Sequence, residues 1–321
     1  MAQRFLWVDS MKAMAIIIVI LGHCLLFVGF TDILLYKYII YLQMPLFMAI
    51  SGYCSYKQSI SFDNLKRRFF QLVIPFLCWP MVWYAIKMDF SGIVDYYIHL
   101  PLNPDSGLWF LYILFLISLV DYFRCKLLFC SNLQNLIGGG KRRLTQCVYE
   151  YSIILVSFFL LLALWVYKHF DMPGNWLNFI ALYYPYYMLG CVMRRHNELF
   201  LNHFRWISPL GLVIFLGFTP FLEGKLYEPL LAIGGILGLF FVFYRWCNIQ
   251  MPQLMVFTAV STLGIYAIHQ PVIQYLKHLV VTPIWLDVVI TFILSYIISI
   301  LVVRLLKLSV ITRKLLLGMQ N

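Results

Sequence analysis

The sequence predicts an all-α protein, a polytopic membrane helical bundle of about ten transmembrane helices with its N-terminus and C-terminus in the cytoplasm. Three observations carry this. Of 321 residues, 63% are hydrophobic and only 12% charged, roughly half the charge of an ordinary soluble domain, so lipid must be the solvent for much of the apolar surface. The apolar residues fall into about ten stretches of roughly 20 residues, the length a helix needs to cross the hydrocarbon core. The basic residues gather in alternate connections between those stretches.

In chain order the stretches lie at about 11–30, 36–55, 70–88, 107–123, 149–168, 176–193, 206–222, 228–246, 256–276 and 285–306. The run from Ala13 to Phe30 is too long for a signal-peptide core and lacks a small-residue cleavage site, so it stays as a helix. The second stretch carries Pro45, which frees a backbone carbonyl, and Ser51-Gly52, which allow close helix approach. The sixth is Tyr-rich and contains Pro185, an interruption that helix bundles tolerate. The connection at 124–148 holds Gly138-Gly139-Gly140 followed by Lys141-Arg142-Arg143, read either as a flexible basic connector or as a phosphate-binding turn. The loop at 89–106 carries Asp89, Asp95, His99 and Asp105 and is placed to help cover a site. No soluble accessory domain and no internal repeat is expected, so the chain reads as one membrane domain over 1–321.

Net charge is +11. In a soluble protein that would suggest nucleic acid; here the cations sit in short connections and set orientation instead. With the N-terminus inside, 19 of the 24 lysines and arginines face the cytoplasm and 5 face outward. The eight cysteines form no CxxC pair, which implies neither a disulfide framework nor a metal site.

Polar groups within an apolar span are costly and ask for a reason. The first span begins Trp7-Val8-Asp9-Ser10-Met11-Lys12 and is then broken by His23. Eleven residues at 100° each return to within about 20° of the same face, so Lys12 and His23 share it at a separation of about 16 Å. Asp9, three residues before Lys12, shares it too. From spacing alone His23 is either a core histidine bonded to a neighbouring helix or a site residue, and Lys12 either a snorkelling interface lysine or part of that site. The ninth span reads Ser261-Thr262-Leu263-Gly264-Ile265-Tyr266-Ala267-Ile268-His269-Gln270-Pro271. It enters from the same side and places His269 at a depth matching His23. The two imidazoles either flank one cavity or make unrelated hydrogen bonds. Lys66, Arg67 and Arg68 at the entry to the third span suit a phosphorylated ligand or anionic lipid headgroups.

Taken together these segments resemble integral-membrane acyltransferase family 3, the group that O-acetylates cell-surface polysaccharides. They are also similar to the membrane half of peptidoglycan and O-antigen O-acetyltransferases. The resemblance rests on the first-span pattern of acidic residue, basic residue, ten residues and histidine (Asp9, Lys12, His23). It continues through Pro45-Leu46-Phe47 with Ser51-Gly52-Tyr53, Arg67-Arg68 with Pro75, Leu108-Trp109-Phe110-Leu111, and Ser261 with Tyr266, His269 and Pro271. It spans about residues 4–275. Two positions depart from the family pattern. Lys12 stands where arginine is usual, keeping the charge but losing the bidentate fork, and Gln71 stands where a second arginine often follows Arg68.

The resemblance implies an O-acetyltransferase of a bacterial cytoplasmic (inner) membrane. Its donor would be acetyl-CoA or another acyl-CoA, arriving from the cytoplasm with its phosphates near Lys66, Arg67 and Arg68. Its acceptor would be the hydroxyl of a surface glycan or lipid-linked sugar. His23 would act as general base or carry the acyl group itself, with Asp9 paired to Lys12. Tyr266, His269 and Ser261 would contact the acceptor or the oxyanion. No bound cofactor, metal or nucleic acid is implied; membrane lipid is the surrounding partner, and assembly into a homo-oligomer is compatible. The competing readings are a secondary transporter or glycan flippase, a class that often shows repeated halves with broken helices, a symmetry not found here, and a non-enzymatic partner in polysaccharide synthesis.

Overall fold

A helix that is apolar over most of its circumference belongs in the middle of its bundle, and the first helix is such a case. In the computed structural model of the chain, α1 (Leu6–Val28) is packed by α2 (Leu34–Ser55), α10 (Tyr227–Trp246), α11 (Gln253–Val260), α12 (Thr262–Leu276) and α13 (Ile284–Leu306). Its buried residues include Met11, Ala15, Ile16, Val19, Ile20 and Cys24, which do not fall on one stripe. The structure describes residues 5–56, 61–104, 108–128, 142–197, 207–224, 227–246, 252–276 and 283–319, with backbone only at 142–147 and 207. Among these residues every regular element is helical. The remaining helices are α3 (Phe62–Arg68), α4 (Ile74–Lys87), α5 (Ile93–His99), α6 (Trp109–Leu128), α7 (Arg142–His169), α8 (Trp176–Arg195), α9 (Ile207–Phe218) and α14 (Val310–Leu315).

The chain divides into two compact units, one of residues 1–56 and 189–310 and one of 57–188 and 311–321. In the first, helices approach closely where side chains are absent. Gly211 of α9 faces Gly234 of α10, and a methyl on either would lie 2.8 Å from the other's carbonyl oxygen. Gly190 of α8 lies against the α2 backbone at Ala49 and Tyr53, and the neighbouring Cys191 thiol reaches Gly52 O at 3.3 Å. Where packing rather than the hydrophobic effect drives helix association, such small-residue contacts are the expected means. The ion pair of Lys37 with Glu223 at 2.9 Å ties α2 to the turn after α9. Lys37 holds the exposed Glu223 carboxyl below its usual range.

In the second unit, α3 and α4 are joined without a break by a π-helical segment, Phe69–Val73, in which Ile74 N–H donates to Phe69 O. Pro75 explains the widened turn. It has no N–H to offer the carbonyl four residues earlier, that of Gln71. The freed Gln71 backbone is met by Gly318, whose φ of +61° and lack of a side chain both suit that approach. Trp79 Nε1–H donates to Leu316 O at 2.9 Å, fixing the same tail segment. α7 is the opposite of α1: Ile154, Leu155, Phe158, Phe159, Leu162 and Trp165 are all exposed, as expected of side chains in contact with lipid.

All ten apolar stretches coincide with helices. Among the described residues six helices are long and apolar enough to cross a membrane: Leu6–Val28, Leu34–Ser55, Phe62–Lys87, Val148–His169, Tyr227–Trp246 and Ile284–Leu306. The chain is thus a multi-pass membrane protein. Three boundaries differ from expectation. The helix expected from residue 70 begins at Phe62, so Lys66, Arg67 and Arg68 lie within it. α6 continues to Leu128, so Arg124 is helical and buried rather than in a connecting loop. The helix expected over 256–276 is two, α11 and α12, bent by 87° at Ser261, and would make a seventh span if the pair counts as one. Gly138-Gly139-Gly140, Cys130 and Cys247 lie outside the described residues. Cys24, Cys54 and Cys78 are free thiols. Asp95 and His99 pair with each other at 3.3 Å on α5.

The glycine contacts generate a stability prediction. Gly190→Ala drives a methyl into the α2 backbone and should lower the thermal midpoint in detergent by the equivalent of roughly 1–3 kcal/mol. Gly217→Ala, with nothing within 4 Å of the new atom, should leave it unchanged or raise it slightly. Equal midpoints for the two variants would contradict the close-approach account.

Candidate active site

The polar face of α1 begins near its first turn. Asp9 is buried and lies 3.6 Å from Lys12 Nζ, one turn on. The pairing matches the expectation for this segment and follows from the cost of an isolated charge beside hydrocarbon.

Eleven residues on, His23 meets His269. The gap between His269 Nε2 and His23 Nδ1 is 3.2 Å, and the rings cross at 66° with centroids 5.0 Å apart. Each ring also reaches back along its own helix. His23 Nδ1 is 3.0 Å from Val19 O, and His269 Nδ1 is 3.1 Å from Ile265 O. The two histidines expected at matched depth are therefore one cluster. His269 is 1% exposed, whereas His23 is half-buried. The Phe27 ring stacks near His23 at 6.1 Å, and the Tyr266 ring lies 5.7 Å from His269.

Ser261 is not part of this cluster. It sits at the bend between α11 and α12, about 12 Å of helix rise from His269, and its hydroxyl accepts a hydrogen bond from Lys307 Nζ at 2.7 Å. The Phe257 ring lies under the same ammonium at 4.2 Å. Partial burial holds Lys307 below the ordinary lysine value.

One residue beside the cluster escaped the sequence reading. Gln43 of α2 is buried, and its Oε1 has no hydrogen-bond partner among the described residues. It packs on Gly22, where a methyl would come within 2.7 Å of both Gln43 Oε1 and Ile39 Cγ2. A buried amide oxygen without a donor costs about 1–3 kcal/mol, so Gln43, packed on the residue before His23 in α1, asks for a reason. The available signal was the only amide in an otherwise apolar helix core.

In the second unit the three expected cations do not converge. Successive residues on a helix are 100° apart; Lys66 and Arg67 are exposed while Arg68 turns inward. Arg68 hydrogen-bonds the Ser118 hydroxyl and, at 3.4 Å, the Tyr187 hydroxyl. Among the described residues no carboxylate pairs with it. Nearly two turns further along α6 from Ser118, Arg124 is buried. It holds Asp121 with its Nη2 at 2.6 Å, donates to Ser152 Oγ at 2.9 Å and lies over the Tyr149 ring at 4.3 Å. Sequence reading placed Arg124 in a loop because its charge ended the apolar run. Arg124 is neutralised by Asp121, whereas the partners of Arg68 among the described residues are hydroxyls. The described residues contain no cluster of metal ligands.

A family model described as an acyltransferase domain matches residues 5–304. The chain belongs to acyltransferase family 3. This acyltransferase carries its two facing histidines, its Asp9–Lys12 pair and Arg68 all within the matched region. Neither curated proteins nor solved structures yield a match.

The contrast between the two arginines is testable by stability alone. Asp121→Asn leaves Arg124 buried without a counter-charge and should destabilise the acyltransferase by about 3–5 kcal/mol. Arg68→Met removes an unpaired half-buried charge and should cost less than about 1 kcal/mol. A thermal midpoint lowered more by Arg68→Met than by Asp121→Asn would contradict the assignment.

Proposed function

We propose that this acyltransferase moves an acetyl or related acyl group from cytoplasmic acyl-CoA to a hydroxyl of a cell-surface or lipid-linked glycan, with His23 as general base. The observation that carries the proposal is the occupancy of the His23 ring. Its Nδ1 is committed to Val19 O and His269, which leaves Nε2 as the nitrogen able to take a proton. In the reaction Nε2 removes the acceptor hydroxyl proton as that oxygen bonds to the thioester carbonyl carbon. The carbon–sulfur bond then breaks, and the proton passes from Nε2–H to the departing thiolate. The histidine ends in its starting state and no metal or cofactor enters the balance. Gln43 Oε1 supplies an acceptor for a further donor on the substrate. Arg68, half-buried and without an acid partner, supports a phosphorylated donor. Exposed Lys66 and Arg67 suit lipid phosphates or the outer part of the same ligand. The bias of basic residues supports an N-terminus in the cytoplasm of a bacterial inner membrane, with the remaining helices spanning as well.

The test is acyl transfer by the purified acyltransferase in liposomes, with labelled acetyl-CoA and extracted glycan. His23→Ala should lower turnover by roughly 10²–10⁴-fold. Arg68→Ala should raise the apparent KM for acyl-CoA by roughly 10-fold or more, the scale of a charge-assisted hydrogen bond. Wild-type turnover by His23→Ala would remove the base from the mechanism. Glycan movement without acyl transfer would favour a transporter, the one class to which the 87° helix break also lends itself.

A further inference from the structure

We propose that His269 is a positioning residue, whose Nε2 lone pair holds the His23 ring in the one neutral tautomer that leaves His23 Nε2 bare. The inference deepens the acyl-transfer reading and rests on it for its kinetic consequences, but the proton inventory follows from geometry alone. A carbonyl oxygen only accepts, so the His269 nitrogen 3.1 Å from Ile265 O must carry a hydrogen. A neutral imidazole has a single N–H, so His269 Nε2 is a lone pair. That lone pair lies 3.2 Å from His23 Nδ1. The same His23 nitrogen lies 3.0 Å from Val19 O, a second group that only accepts. Both neighbours require a hydrogen on His23 Nδ1, and one N–H shared between them satisfies both. His23 Nε2 is then the only unpledged ring nitrogen of the pair.

Two consequences follow. With both nitrogens engaged, His269 has no N–H to offer an oxyanion, so its expected acceptor or oxyanion role gives way to one exerted through His23. When His23 Nε2 takes a proton, the developing charge on the ring is met by the His269 lone pair and the Val19 carbonyl, already in place, as in a triad whose third member orients the base. Nearby ionisable groups are few. Cys24 lies 3.9 Å from Ser295 Oγ, and Tyr266 neighbours His269. On the helices packed against α1, the charged groups lie toward helix ends: Lys37 on α2, Glu228 and Arg245 on α10, and Asp287 and Arg304 on α13.

The experiment compares His269→Met, which keeps bulk without the acceptor, with His269→Gln, which returns an acceptor oxygen. Both are assayed in liposomes for kcat, donor KM and pH profile, alongside ¹⁵N spectra of histidine-labelled protein. The wild type should show His23 protonated at Nδ1 and bare at Nε2. His269→Met should lower kcat by roughly 10²-fold with donor KM nearly unchanged, and should move the acidic limb of the profile to lower pH because protonated His23 loses a partner. His269→Gln should recover most of kcat. A His23 bare at Nδ1, a Met variant with wild-type kcat, or Met and Gln variants equally impaired would overturn the proposal. A wild-type protein that transfers no acyl group would sink the acyl-transfer reading instead, and the ¹⁵N tautomer would still decide the pairing.

Discussion

The contact between His23 and His269 is the constraint around which the first unit is organised. An imidazole placed inside an apolar helix has to satisfy its N–H locally or across a helix boundary. Here each ring does both, binding the carbonyl one turn back on its own helix and then its partner. For this to work α1 and α12 must hold a fixed rotation and height, and the packing supplies them. α1 is enclosed by five helices, and the bend at Ser261 lets α12 set off in a direction of its own, with Lys307 fastening the corner. The histidine contact thus links helix placement to the hydrogen-bonding state of the His23 ring.

The second unit handles charge differently. Arg124 and Asp121 neutralise each other within one turn of α6, a pair that adds little net stability but whose disruption is expensive. Arg68 instead meets the Ser118 and Tyr187 hydroxyls, and among the described residues no carboxylate. A half-buried guanidinium supported by two hydroxyls keeps its charge, which is why a phosphorylated donor is proposed for it. The π segment beside it has a covalent origin in the missing N–H of Pro75, and the tail at Gly318 covers the carbonyl left over. Local backbone chemistry, rather than any feature of a ligand, accounts for that irregularity.

Most of the helical framework was legible in the sequence, because apolar length is a direct consequence of bilayer thickness. The Asp9–Lys12 pairing and the alignment of Lys12 with His23 were legible for the same reason: they follow from helix periodicity. What could not be read was anything depending on rotation between helices. Matched depth left His23 and His269 open as partners or strangers, and only the packing of α12 on α1 decides it. Lys66, Arg67 and Arg68 are contiguous in sequence, which made them look like one cluster, yet a 100° step separates each from the next. Ser261 sat in a motif with Tyr266 and His269 but caps a bend that no periodicity announces. Gln43 was passed over because an uncharged amide interrupts hydropathy so little.

The central proposal is that a bare His23 Nε2 takes the proton of the acceptor hydroxyl beside the thioester. The most direct measurement is an experimental structure of the protein bound to a non-hydrolysable acyl-CoA analogue. The account predicts the carbonyl carbon of the analogue within about 5 Å of His23 Nε2, leaving space for one hydroxyl oxygen between them at hydrogen-bond reach, with His269 Nε2 still on His23 Nδ1. An analogue whose carbonyl ends elsewhere, with His23 Nε2 packed against lipid or protein carbon, would contradict it.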